Sequence, residues 1–238
     1  MQEIELKEIK KDYRSNEAYK SLRTNIEFSG EDNKVLVFTS CTPTEGKSTV
    51  TIALAHALAE AGKKVLFIDA DLRKSVLAGR HKVHGQLKGL SHFLSGQTEL
   101  GEVMYRVKDT NMVMIFAGVV PPNPAELLGG KRFESLLTSA RKAYDYVIID
   151  APPLGSVIDA AIIAKQSDAS VFVISANTVS HKFAKVVKEQ LEKSGCPILG
   201  VVLNKVDMGQ NKYYGKYYGK YYGTYGDYGH EKEGKAEE

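Results

Sequence analysis

Residues 35–49, VLVFTSCTPTEGKST, constrain this chain more than any other stretch. Val35, Leu36, Val37 and Phe38, followed by Thr39 and Ser40, read as a buried parallel strand. After a short loop, Gly46-Lys47-Ser48-Thr49 opens a helix through TIALAHALAEAG. Strand, loop, Gly-Lys-Ser and helix in that order make a phosphate-binding arrangement. The helix start offers unpaired N–H groups and the positive end of a dipole to a polyphosphate. Lys47 has the reach for β- and γ-phosphates, and the Ser48 hydroxyl is a hard oxygen ligand of the kind Mg²⁺ takes. Thr42, Pro43, Thr44, Glu45, Gly46, Lys47, Ser48 and Thr49 are therefore the candidate nucleotide-binding residues. Where the usual pattern begins with Gly, five residues before Gly46, this chain has Cys41. A chance Gly-Lys-Ser is the bland alternative, and the matching strand and helix weigh against it.

Two further apolar runs end in carboxylates. VLFIDADLR (65–73) is a second buried strand with Asp69 and Asp71 at its C-terminal end, and Arg73 follows. YVIIDAPP (146–153) ends in Asp150, and Pro152 and Pro153 stop it. Ligands of open parallel sheets bind at the carboxyl ends of strands, so these groups should gather near the phosphates. Paired carboxylates beside an anion make sense if a Mg²⁺ ion is held there or if one carboxylate is a base. Ser48, Asp71 and Asp150 are the candidate metal ligands, and either Asp69 or Asp71 is a candidate base.

The remaining order is strand and helix in alternation. Met112–Ala117, 170–177 (SVFVISAN) and 197–207 (PILGVVLNKVD) read as strands, with a helix SHKFAKVVKEQLEKSG between the last two. Asn123-Pro124-Ala125-Glu126 is a helix start whose helix continues to Lys142, with a break at Gly129-Gly130. Such alternation predicts an α/β fold of the P-loop NTPase type, a mainly parallel sheet flanked by helices. Asn204, at the end of the last strand, is a candidate adenine contact by position. Residues 74–110 carry a short helix near Leu90–Leu94, and His81, His84 and His92 read as surface residues without a metal-ligand set. Residues 1–15 are charge-rich, a helix or an arm, and NEAYKSLRTNIEF (16–28) reads as a helix. Its Glu17, Lys20 and Arg23 fall three apart on one face, either a solvated ion-pair face or an intersubunit contact.

A net charge of +3 gives no case for nucleic acid. No apolar run approaches the roughly 18 residues that span a bilayer, and the opening MQEIELKEIKK lacks the pattern of a signal peptide. Cys41 and Cys196 show no disulfide or metal spacing, so a reducing cytoplasm is expected.

After Met208 the composition changes. Residues 209–238 contain no Val, Ile, Leu, Met or Phe, and Lys-Tyr-Tyr-Gly starts at 212, 216 and 220. Eight of the thirteen tyrosines fall here: Tyr213, Tyr214, Tyr217, Tyr218, Tyr221, Tyr222, Tyr225 and Tyr228. Such a segment cannot bury enough apolar surface to offset its chain entropy and is expected to be a disordered tail. Expected boundaries are thus an N-terminal arm with its helix (1–30), a P-loop domain (31–208) and the tail (209–238).

TPTEGKST, FIDADLR, VIIDAPP, NEAYKSLRTNI and the terminal tyrosine cluster together resemble the bacterial tyrosine kinases (BY-kinases) of capsule and exopolysaccharide synthesis, in their separate CpsD/CapB-type form. The resemblance spans nearly the whole chain. It implies an ATP- and Mg²⁺-dependent protein-tyrosine autokinase, with Asp69, Asp71, Lys47 and Arg73 catalytic and the tail tyrosines phosphorylated in trans. It implies that Glu17, Lys20 and Arg23 form the family's Glu-x-x-Arg-x-x-Arg interface motif, with Lys in place of the middle Arg. The implied partners are other copies in a ring, with an octamer as one size; an integral membrane activator or polysaccharide co-polymerase that recruits the cytoplasmic kinase to the inner face of the membrane; a tyrosine phosphatase; and polysaccharide-biosynthesis enzymes as further substrates. The competing class is an ATPase switch or scaffold of the septum-positioning and plasmid-partition kind, with a non-substrate tail. Those proteins carry a second lysine at the loop start, where this chain has Thr42. A third reading gives the tail single-stranded nucleic acid to stack on; its five Lys against one Asp and four Glu make it neutral, which counts against that.

Overall fold

Strands whose residues are apolar without alternation must be covered on both faces, and this requirement sets the architecture. A computed structural model describes residues 1–6, 13–81 and 87–207. In chain order the elements are β1 (Gln2–Ile4), α1 (Tyr13–Glu27), β2 (Val35–Ser40), α2 (Lys47–Glu60), β3 (Val65–Asp69), α3 (Leu77–Arg80), α4 (Leu90–Leu94), α5 (Leu100–Val103), β4 (Met104–Val107) and β5 (Met112–Ile115). They continue with α6 (Pro124–Leu128), α7 (Lys131–Ala143), β6 (Tyr146–Asp150), α8 (Asp159–Ala164), β7 (Ala169–Ser175), α9 (His181–Glu192) and β8 (Ile198–Asn204). The sheet order is β1-β4-β5-β3-β6-β2-β7-β8, parallel except for the β4–β5 pair.

Successive residues of the central strands point into two different cores. Val35, Val37, Leu66, Ile68, Val147 and Ile149 face Leu136, Leu137, Ile163 and Leu191 on the α7–α9 side. Leu36, Phe38, Val65, Phe67 and Ile148 face Ile26, Ile52, Leu54 and Leu58 on the α1–α2 side. The mainly parallel sheet flanked by helices is thus present as expected. Gly129 and Gly130 do separate α6 from α7.

Three elements depart from the sequence reading. β1 joins the sheet edge beside β4, although QEI and MYRV are too short to announce strands. α8 is only six residues long and directly follows the Pro-rich loop. His81 is buried at 4% exposure instead of lying at the surface; it caps the C-terminal end of α3, where its backbone N–H bonds to Leu77 O at 3.0 Å. His92 is half-buried, its Nδ1 accepting from Gly89 N at 3.0 Å, and His84 lies outside the described residues. Met1–Asn204 form one unit by contacts and Lys205–Glu238 a second; only 205–207 of the second are described, so the tail tyrosines lie outside the described residues. No described helix is long and apolar enough to cross a membrane.

Candidate active site

Parallel pairing brings the three motifs to one end of the sheet. β2 lies next to β6 and β6 next to β3, and register sets Asp69 directly opposite Asp150. The loop after β2 turns sharply: Thr44 (φ 67°) and the N-cap Gly46 (φ 85°) both take left-handed backbone before α2 begins at Lys47. Left-handed residues at a loop that opens a helix turn successive N–H groups towards one point, which suits an anion.

The loop is also held from behind. Glu45 is buried; its Oε2 accepts from Thr42 N at 2.7 Å and its Oε1 from Ser175 N at 3.2 Å. Asn204 Nδ2 donates to the Glu45 carbonyl at 2.9 Å, so the end of β8 braces the loop. Cys41, in the place of the usual first Gly, is fully buried, and burial pushes its thiol up to about 11, with Glu45 adding to the rise. It fits because Gly155 lies against it: a Cβ there would stand 2.2 Å from Cys41 O. Arg80, unremarked in the sequence, donates to Thr49 Oγ1 at 3.1 Å and so brings a guanidinium beside the start of α2.

Lys47, 6% exposed, donates to Asp150 Oδ1 at 2.5 Å and lies 3.5 Å from Ser48 Oγ. Thr51 Oγ1 donates to Lys47 O at 2.7 Å and stands 3.4 Å from the same Asp150 oxygen. Asp69 is buried beside this pair. Burial first, and then the nearby Asp150 charge, push its carboxyl up to about 7; a hydrogen bond from the Ser75 hydroxyl to Oδ2 and the Lys47 charge pull the other way. Asp71 is half-buried, and its Oδ1 accepts from Arg73 N at 3.3 Å and Lys74 N at 2.9 Å, closing a turn. The Arg73 guanidinium grips Asp159 at 2.8 and 2.9 Å, and this hydrogen bond raises its pKa.

Asp69, Asp71, Lys47, Ser48 and Asp150 therefore gather as the sequence suggested. Asp159 and Ser75 escaped notice. The one available signal was a carboxylate opening a short apolar helix just after the Asp150 motif. On α1, Lys20 Nζ pairs with Glu17 Oε1 at 2.8 Å, while Arg23 donates to Ala57 O at 3.2 Å and lies 3.8 Å from Glu27.

No cluster of three or more His, Cys, Asp or Glu among the described residues forms a metal cage. A Mg²⁺ that arrives with phosphates is usually held by one or two carboxylates and substrate oxygens. Ser48, Asp150 and Asp71 supply hard oxygen donors of that kind, so the residues present fit the ion.

Residues 34–193 match the AAA domain family. The tyrosine-protein kinase CpsD of Streptococcus agalactiae is 42% identical over 216 residues, covering 91% of this chain and 89% of its own. The kinase domain of the Escherichia coli tyrosine kinase ETK superposes with a TM-score of 0.75 at 35% identity, over 81% of this chain and 78% of that one. The septum site-determining protein MinD of Pyrococcus horikoshii, complexed with Mg-ADP, gives 0.63 at 26% identity, over 75% of this chain and 72% of its own. Identity and superposition both rank the kinases above the septum protein, as the missing second loop lysine does.

Proposed function

The chain belongs to the bacterial protein-tyrosine kinase family, and from that premise we propose that it transfers the γ-phosphoryl group of ATP to the tyrosines of its own C-terminal tail, in trans between copies. The observation that carries the reading is the buried Asp69, held beside Asp150 and the phosphate-loop lysine. Transfer of a phosphoryl group needs in-line positioning and charge stabilisation more than covalent help from the protein. Loop N–H groups and Lys47 meet the phosphates, and Lys47 must leave Asp150 to do so. Ser48, Asp150 and Asp71 would hold Mg²⁺, which would supply neutralisation of charge on the phosphate oxygens. Arg73, with its Nη1 outside the two bonds to Asp159, sits at the rim of the same turn.

The phenolic oxygen forms the new P–O bond as the bond to the departing ADP oxygen breaks. The phenol has a pKa near 10, so its proton needs an acceptor as attack develops. Asp69 takes it: a carboxyl raised to about 7 is poised near the working pH, where a general base is most effective. Asp71 is the second candidate.

Each tail phosphate adds about −1.5 to −2 charges, turning a neutral segment anionic and loosening the oligomer in which Glu17, Lys20 and Arg23 form a contact. A membrane activator brings the kinase to the inner face of the membrane, a tyrosine phosphatase reverses the modification, and polysaccharide-synthesis enzymes are further substrates in the control of capsule or exopolysaccharide export. Support for the capsule setting is the CpsD likeness.

The test is a turnover with labelled ATP and Mg²⁺, with and without the activator's cytoplasmic segment, followed by mass mapping of residues 209–238. Phosphate on several tail tyrosines, lost in Lys47→Met that still folds, is the expected result. Free phosphate with an unmodified tail under both conditions overturns the autokinase reading in favour of an ATPase switch.

A further inference from the structure

Asp159 is a buried carboxylate for which the chemistry above has no use. It is 0% exposed, at the first position of α8, and both of its oxygens are taken by Arg73: Nε to Oδ2 at 2.8 Å and Nη2 to Oδ1 at 2.9 Å. A forked guanidinium-to-carboxylate pair fixes both separation and plane, which a single-point contact does not. A carboxylate at this depth is costly without such a partner.

The pair sits where two loops meet. Arg73 belongs to the turn leaving β3, and Asp159 follows the loop leaving β6. Strand pairing already sets Asp69 opposite Asp150, and the ion pair joins the segments that follow these two strands a second time. The turn between is tightly bonded: Asp71 accepts the N–H groups of Arg73 and Lys74, and Ser75 donates to Asp69. A displacement of Arg73 is therefore passed to both candidate catalytic carboxylates.

We propose that Asp159 is a positioning residue: by gripping Arg73 it holds the turn that carries Asp69 and Asp71 at a fixed distance from Asp150 and the phosphate loop. The inference rests on reading residues 69–73 as the catalytic turn. A misplacement of about 1 Å at reacting groups costs about 10²-fold in rate, and nucleotide affinity, set mainly by the phosphate loop, is spared.

The experiment uses the full chain with ATP, Mg²⁺ and the activator segment, and measures kcat and the KM for ATP in Asp159→Asn, Arg73→Gln and the double variant, each checked for folding. The expected result is a fall of about 10²-fold in kcat for each single variant, with KM changed less than about threefold, and a double variant no slower than Arg73→Gln alone. Losses that multiply, or losses that lie in KM, overturn the proposal. Full kcat in Asp159→Asn alongside a slow Arg73→Gln overturns the role of Asp159 and leaves that of Arg73. Full kcat in both overturns the role given to Arg73 as well. Should Asp159→Asn fail to fold, Arg73→Lys decides: it keeps the charge and loses the fork, so it is expected to be slow, and full kcat there refutes positioning by the pair.

Discussion

Asp69→Asn separates the electrostatic state of the site from its chemistry. In the nucleotide-free protein the Asp69 carboxyl is raised from 3.8 to about 7, first by burial and then by Asp150. A raised acid binds its proton more tightly folded than unfolded. Stability is therefore intact below pH 4, falls as pH climbs from about 4 to 7, and stays reduced above that. At about 1.4 kcal/mol per unit, the full penalty at pH 8 is about 4 kcal/mol, an upper bound because the site relaxes and admits water. Asn keeps an acceptor for the Ser75 hydroxyl and removes the charge, so about half of that bound should be regained. For a domain of this size that is a rise in Tm of roughly 4–8 °C at pH 8. Differential scanning calorimetry at pH 8 and pH 5 measures it: the gain should shrink by more than half at pH 5, while tyrosine transfer is lost at both. An equal gain at the two pH values, or none at pH 8, refutes the idea that Asp69 is held against its own charge. Transfer left intact in the folded variant refutes Asp69 as the base.

Other substitutions test other contacts. Lys47→Met leaves Asp150 buried without its cation and should cost about 3–5 kcal/mol in the nucleotide-free protein, visible in urea melts. Glu45→Gln puts an amide NH₂ against one of two backbone N–H groups, Thr42 or Ser175; it should cost about 1–3 kcal/mol and weaken ATP binding measured by calorimetry. Gly155→Ala drives a methyl against Cys41 O, so a loss of about 1–3 kcal/mol is expected by thermal melt, with the phosphate loop displaced.

The central fold was readable because β2, β3, β6 and β7 are covered on both faces and so are written as unbroken apolar runs. β1 and β4 were not, since at three and four residues near the margin of the sheet they are too short to show a pattern, and exposed residues interrupt both. Asp69, Asp71 and Asp150 could be found because a parallel sheet gathers strand ends. Asp159 could not be assigned, because its meaning lies in a partner 86 positions away in sequence. Glu45 shows the converse: sequence placed it in the loop, but only packing reveals that its carboxylate faces inward to backbone N–H groups. The same holds for Asn204, whose NH₂ group bonds to that loop.

The three residues of β1 have a practical consequence. They cover β4, whose Tyr105 and Val107 are buried and whose outer backbone groups would otherwise lie bare at the margin of the sheet. A protein trimmed of residues 1–6 would keep every site residue and gain an open, sticky strand edge, inviting aggregation. For anyone preparing this protein, a purification tag is better joined through a flexible spacer than at the cost of those first residues.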